Sequence, residues 1–509
     1  MGGPQNDNAS DSGSDVDPGV CQVLVEEIVE LRWRVLVVTC FLTFGSYYVA
    51  DFPGSIGTGG GKTIERYFRD HGKEYTQQMN QWLYSAYSWP NTVLSIFGGL
   101  LIDKFLGIRW AMLLFTGLVL LGSALFWLGV QVTNFWVLVA GRVILGIGSE
   151  SLAVAQSAYV ARWFSHARGV ALAFGMTISF SRVGSSFNFM FSPKIAESFG
   201  VDYATLVGVF ACCLSVAACL CLIAADFYAV RIGYIRPEPQ TTEEGVMKMS
   251  DMCRLPLTFW ALTFLCTFSY TALFPFIGIA RNFFEVKYGY SGDVASQCIS
   301  AYQLSAVIGS PLIGFIVDSV GSNSVWLLFS SVAIAGVHSL LITTMIPGRT
   351  IMILLGVVYS FLAAGLWPSI PLAVEKNIVG VSYGVMTALQ NIGLALFPIA
   401  LGKILDSFPR GEDGIIAMHS MESGKVVLSE GDTELPPLEA YQMAELLFIG
   451  SAAVAFISDV VLILADISGK GVLTASSCQR RKMKAEEEES LLNHSPDEEN
   501  TLTYLTRES

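Results

Sequence analysis

The chain has 509 residues, 52% of them hydrophobic and 14% charged, with a mean hydropathy of +0.53. Soluble proteins carry about 25% charged residues, so the bulk of this chain prefers lipid to water. The formal net charge of -13 and the lack of any basic stripe argue against nucleic acid as a partner.

Much of the acid lies in Asp7 to Glu30, Glu412 to Glu445 and Glu486 to Glu499. Residues 1–31 hold no cleavable signal peptide and read as a disordered cytosolic segment, so the first apolar helix must itself direct insertion. Apolar windows then predict spans near Trp33–Ile56, Met79–Ile102, Trp110–Val130, Phe135–Val160, Gly169–Phe191 and Val207–Ala229. A polar linker at 231–255, with Pro237, Pro239 and the run Thr241 to Glu244, separates these from six more. The second set is Thr258–Phe283, Val294–Val317, Val325–Ile346, Ile351–Val374, Val381–Ile404 and Leu446–Ala465. The expected fold is an all-α integral membrane protein with twelve transmembrane helices in two six-helix bundles, 32–230 and 256–468. A luminal loop is expected at 409–440, and a disordered cytosolic tail at 469–509.

Lys104 and Arg109 flank one short loop, and Arg162 and Arg168 another. Basic residues in short loops stay cytoplasmic, which with an even span count puts both termini in the cytosol. Lys62, Arg66, Arg69 and Lys73 lie on the opposite side, in a longer loop where the rule is weaker. The ten cysteines form no CxxC pair and there are only five histidines. With no nucleophile–base set, Walker loop or metal spacing, neither an enzyme nor a cofactor is expected.

Glu150 and Arg182 interrupt the fourth and fifth spans. An ionised group at membrane depth costs several kcal/mol unless it faces a partner or water, which marks such residues as functional candidates. Counted from the loop Arg162 to Arg168, their depths differ by about 3 Å at about 1.5 Å per residue. Either they form a structural ion pair, or they flank a cavity in which Glu150 takes an ammonium and Arg182 a carboxylate. Arg142, in the fourth span, reads equally as structural or cavity-lining. Asp51, before Phe52-Pro53-Gly54, reads as a helix-end turn. Tyr47, Tyr48, Tyr84, Tyr87 and Trp89 in the first two spans, and Trp367, Gln390 and Asn391 in the second half, are further candidates for contact with a substrate.

The two halves echo each other. Gly99-x-x-x-Asp103-Lys104-x-x-Gly107-x-Arg109 follows the second span and Gly314-x-x-x-Asp318-x-x-Gly321 the eighth. Both resemble the loop motif of the major facilitator superfamily, in which a carboxylate and basic residues latch helix ends; Asp103, Lys104, Arg109 and Asp318 match it. The second copy lacks the basic residues.

The resemblance sharpens in Tyr87-Ser88-Trp89-Pro90-Asn91, Phe97-Gly98-Gly99, Glu150-Ser151-Leu152-Ala153-Val154-Ala155-Gln156 and Arg182-x-Gly184-Ser185. In the second half it continues in Phe274-Pro275-Phe276-Ile277-Gly278, Leu366-Trp367-Pro368, Tyr383-Gly384 and Gln390-Asn391-x-Gly393-Leu394-Ala395. Together these look like the lysosomal dipeptide uniporter branch of that superfamily. The resemblance implies export of dipeptides from the lysosomal lumen to the cytosol without obligatory proton coupling. It implies that Glu150 and Arg182 hold the amino and carboxyl ends of the dipeptide. It also implies a glycosylated single-span lysosomal accessory subunit. The long acidic segment from Arg410 to Glu445 departs from the family.

The tail carries Glu487-Glu488-Glu489-Ser490-Leu491-Leu492, an acidic dileucine pattern of the kind read by endolysosomal sorting adaptors, with Glu487, Leu491 and Leu492 as its elements. The sequons at Asn8 and Asn493 fall in segments expected to face the cytosol. From the residues alone, two other readings stand beside a dipeptide facilitator. One is a proton-coupled symporter of an organic anion or amino acid, with Glu150 carrying the proton; the other is a non-transporting sensor on the same fold.

Overall fold

A computed structural model of the chain describes residues 31–95, 107–164, 170–232, 255–375, 379–408 and 435–493. Asp103 and Lys104, most of the linker and most of the acidic loop lie outside the described residues. What is described is helical, apart from one isolated bridge between Gly321 and Ser476.

The first half comprises α1 (Leu31–Gly57), a short α2 (Ile64–Asp70), α3 (Gln77–Ser88), α4 (Gly107–Gln131), α5 (Phe135–Phe164), α6 (Val170–Phe199) and α7 (Val201–Arg231). The second comprises α8 (Leu257–Tyr288), α9 (Gly292–Val320), α10 (Asn323–Thr343), α11 (Gly348–Ala373), α12 (Val379–Ser407), α13 (Leu438–Ser468) and a last helix α14 (Ser477–Asn493). Ten of these are long and apolar enough to cross a membrane. The predicted second and fifth spans, α3 and α6, are helices outside those ten. In α6 the reason is composition: Ser181, Arg182, Ser185, Ser186, Asn188 and Ser192 lower its hydropathy, and they bond to neighbouring helices instead of facing lipid. Buried apolar side chains form two clusters, one from each half, and Phe189 of α6 belongs to the second.

With twelve crossings, α1 starts and α13 stops at one end of the bundle, the terminal end; Tyr288–Gly292 marks the other, the loop end. α1 does not stop at Asp51. It passes into a π-turn over Pro53–Gly57. Proline has no N–H to give to the carbonyl four residues back, and that carbonyl, of Val49, accepts from Arg142 Nη1 at 3.3 Å. Arg142 also donates to Ala50 O at 2.9 Å and, through Nε, to Leu83 O at 3.0 Å. Asn80 Nδ2 takes the Pro53 carbonyl at 3.0 Å. Arg142, 1% exposed, is therefore a brace for the irregular turn of α1.

The last membrane helix begins at Leu438, earlier than expected, so Glu445 lies inside α13 and not in the loop. It is fully buried against His338 of α10, with Nδ1 to Oε2 at 2.6 Å. The segment after α13 is also ordered. Asp466 accepts from Leu473 N at 3.1 Å and Thr474 N at 2.8 Å, turning the chain back under the α9–α10 turn. There Ser322 N donates to Ala475 O at 2.9 Å, Ser477 Oγ to Asp318 O at 2.7 Å and Arg480 Nη2 to Asn323 Oδ1 at 2.9 Å.

Candidate functional site between the halves

Arg182 is aimed by the way α6 is fastened to α1. Ser181 shares a 2.8 Å hydrogen bond with Thr43, Ser185 Oγ donates to Tyr47 O at 3.3 Å, Asn188 Nδ2 donates to Tyr48 O at 2.7 Å and Ser192 bonds the Tyr48 hydroxyl at 2.9 Å. These positions recur at helical spacing and define one face. Gly184 lies on it, and a β-carbon there would sit 2.5 Å from Phe44 O, so only glycine permits the approach. Arg182, one residue on from Ser181, is turned by about 100° towards the second half. Ser186 and Phe189 follow on that same face: Ser186 bonds Ser300 at 2.7 Å, and Phe189 packs in the second half's core.

Arg182 thus belongs to one half and finds its partners in the other. Its Nη1 donates to Gln303 Oε1 of α9 at 3.3 Å, its Nη2 donates to the Tyr359 hydroxyl of α11, and its Cζ lies 4.2 Å from the Tyr359 ring centre. Tyr359 packs edge-on against Tyr270 of α8, ring centres 6.3 Å apart, and the Tyr270 hydroxyl accepts from Trp367 Nε1 at 3.1 Å.

Glu150 is set by a different contact, that of α3 with α5. Gly146 allows it: a β-carbon there would lie 2.1 Å from Tyr87 O. Asn91 Nδ2 bonds both Tyr87 O and Gly146 O at 3.1 Å, pinning the two helices. Tyr87 then stands against Glu150 and Ser149. Tyr47 stands close enough to feel the charges of Glu150, Arg182 and Asp51. Glu150 and Arg182 are each half-buried and form no ion pair with one another or with any other described residue. They are a carboxylate and a guanidinium near one tyrosine, each held by neutral groups. Asp51, near Ser185, adds a second carboxylate near Arg182.

The other candidates are dispersed around this centre. Tyr84 lies under Arg142, whose Cζ is 5.6 Å from its ring centre, and abuts Gly278 of α8. Trp367 opens a 3-10 turn, Trp367–Ser369, stacks on Tyr383 and bonds Tyr270. Gln390 accepts from Cys266 Sγ at 3.5 Å. Tyr48 is buried against Ser192, Asn391 donates to Thr387 O of its own helix at 3.0 Å, and Trp89 is 47% exposed. Arg109, expected to latch with Asp103, donates to the buried carboxylate of Asp226 on α7, which Arg162 approaches at 3.6 Å. Asp318 is exposed, with its carbonyl held by the tail. Glu487, Leu491 and Leu492 lie on the backbone of α14.

Sequence reasoning missed Gln303 and Tyr359, neutral residues that nothing in a span distinguishes. It also missed a latch between the halves at the loop end, whose two charges could have been found at the end of the seventh span, one inside it and one two residues beyond. Arg281 of α8 donates to Ser55 O and, at 2.6 Å, to Gly60 O, while Glu285 Oε2 accepts from Gly60 N at 2.6 Å. Asn282 Nδ2 bonds Thr58 Oγ1 at 2.7 Å and Gln77 Oε1 at 3.2 Å. Gln78 N donates to Asp406 of α12 at 2.9 Å.

The profile of the Major Facilitator Superfamily matches residues 32–398. The human "Lysosomal dipeptide transporter MFSD1" is 34% identical over 494 residues, covering 95% of this chain and 96% of its own. The Danio rerio protein of the same name is 32% identical over 459 residues, 89% of this chain and 90% of its own. A crystal structure of a mutant of the nucleoside transporter NupG superposes with a TM-score of 0.60 at 14% identity, covering 86% of this chain and 99% of that one, a likeness of fold alone. The two six-helix halves, the superfamily profile and relatives matched along almost their whole length agree: this chain belongs to the major facilitator superfamily, in the branch of the MFSD1 proteins.

Proposed function

We propose that this chain is a lysosomal membrane transporter that moves dipeptides from lumen to cytosol by alternating-access uniport. The observation that carries the reading is that Glu150 and Arg182 both lie near Tyr47 deep in the bundle and are not paired with each other. A dipeptide zwitterion supplies the two opposite charges they lack, and its termini span roughly 7 Å at about 3.3–3.6 Å per residue. The compartment rests on the names of the relatives and on the acidic dileucine of the tail. Both termini then face the cytosol, the loop end faces the lumen, and the Arg281–Glu285 latch is the luminal gate in its closed state.

Neutralisation by a zwitterion leaves no net charge to carry with a neutral dipeptide, which suits uniport. The partners that follow are a glycosylated single-span accessory subunit on the luminal face and sorting adaptors on α14. Purified protein in liposomes should take up a labelled neutral dipeptide down its gradient, saturably, at equal internal and external pH. Accumulation against a dipeptide gradient driven only by a pH difference would replace this mechanism with proton coupling.

A further inference from the structure

Arg182 holds only neutral partners, and its two hydrogen bonds both go to the opposite half. Gln303 and Tyr359 are 3% and 5% exposed, so the residues that receive the guanidinium are themselves fixed in the core of that half. Tyr359 is further packed against the ring of Tyr270, 6.3 Å away, which Trp367 Nε1 holds by its hydroxyl. Beside it, the hydroxyl of Tyr302 is fully buried with no hydrogen-bond partner, its ring 6.2 Å from that of Tyr359.

A carboxylate has about four lone-pair sites, of which a guanidinium fork takes two. A phenol hydroxyl has one O–H donor beside its acceptor lone pairs, so Tyr359 can donate to a third. We propose that Tyr359, with Gln303, occupies the place of the substrate's carboxylate on Arg182 in the empty transporter. When substrate arrives, Tyr359 donates to that carboxylate and becomes the residue that tells a free carboxyl end from an amidated one. This rests on the dipeptide reading of the site and names the second half of its carboxylate subsite. A primary amide is rejected because it brings no charge to Arg182, and its N–H groups meet the arginine donors. Since Arg182 and Tyr359 lie in different halves, a bound carboxylate is also a tie between them, whereas an amide is a weaker one.

The test is liposome uptake of a labelled dipeptide, with its unlabelled acid and its C-terminal amide as competitors, in the unaltered chain, Tyr359→Phe and Gln303→Leu. The unaltered chain is expected to prefer the acid. Losing one hydrogen bond to a charged group raises KM for the acid about tenfold in Tyr359→Phe, with the maximal rate held within about twofold and inhibition by the amide unchanged. Acid-over-amide preference therefore falls about tenfold. Gln303→Leu, which frees Arg182 from its other placeholder, leaves the preference intact. It also serves if Tyr359→Phe fails to fold: a Gln303→Leu protein that lost the preference would overturn the assignment to Tyr359. Equal weakening of acid and amide in Tyr359→Phe, or no change in either, overturns this proposal while the dipeptide reading stands. Absence of dipeptide uptake by the unaltered chain overturns both.

Discussion

A guanidinium in the middle of a membrane protein needs acceptors, and Arg182 finds neutral ones on the far side of the bundle. It was legible because a charge in a span is rare, and the same holds for Glu150. Which neighbours their supports would meet was not, since a glycine or tyrosine in a membrane helix is ordinary until the neighbouring helix is in place. Gly146 and Gly184 are the positions where that neighbour decides. A methyl group would lie 2.1 Å from Tyr87 O at the first and 2.5 Å from Phe44 O at the second. Gly146→Ala and Gly184→Ala are each expected to destabilise the fold by about 1–3 kcal/mol by overpacking. The check is the thermal midpoint of the purified protein, which should fall in both, with dipeptide uptake impaired. An unchanged midpoint in either would show that the helices are not so close.

Among the elements, α10 and α13 are joined by His338 and Glu445, both fully buried. Removing one member of a buried pair leaves the other without compensation, at about 3–5 kcal/mol. Glu445→Ala should therefore fold poorly, while an apolar pair of similar volume, His338→Leu with Glu445→Met, should recover most of the loss. No recovery would mean the pair has a role beyond packing. The tail is the other element whose place sequence could not give. Asp318 stands in a motif copy without basic residues, and Arg480, far along the chain, brings a positive charge near Asp318 and Asp466. Nothing local in the sequence links those positions. Arg480→Ala is expected to expose the amides of residues 470–480 to hydrogen exchange without lowering the thermal midpoint. Retained protection would place the docking on the backbone contacts alone.

For the whole molecule, the span count and the split into halves followed from hydropathy, because lipid imposes one repeated requirement on every crossing helix. How the halves meet did not follow from it. That depends on the Arg281–Glu285 latch to the Ser55–Gly60 backbone and on Arg182 reaching Gln303 and Tyr359. Arg281→Ala removes two charge-assisted bonds between the halves, each about 1.5–3 kcal/mol, besides its bond to Glu285. It should shift the population towards a conformation open at the loop end. Spin labels at the exposed Lys73 and Glu439 should then report longer distances, and an unchanged distribution would leave the latch without a gating role.

Whether Glu150 and Arg182 receive the two ends of one substrate is decided by uptake of a labelled neutral dipeptide into liposomes carrying the unaltered chain, Glu150→Gln or Arg182→Lys. Lysine keeps the charge of arginine and loses its planar fork. Saturable uptake is predicted in the unaltered chain, with a loss of at least about tenfold in each variant, as expected for a charged hydrogen-bonded contact. Uptake at the unaltered rate in both variants would contradict the account.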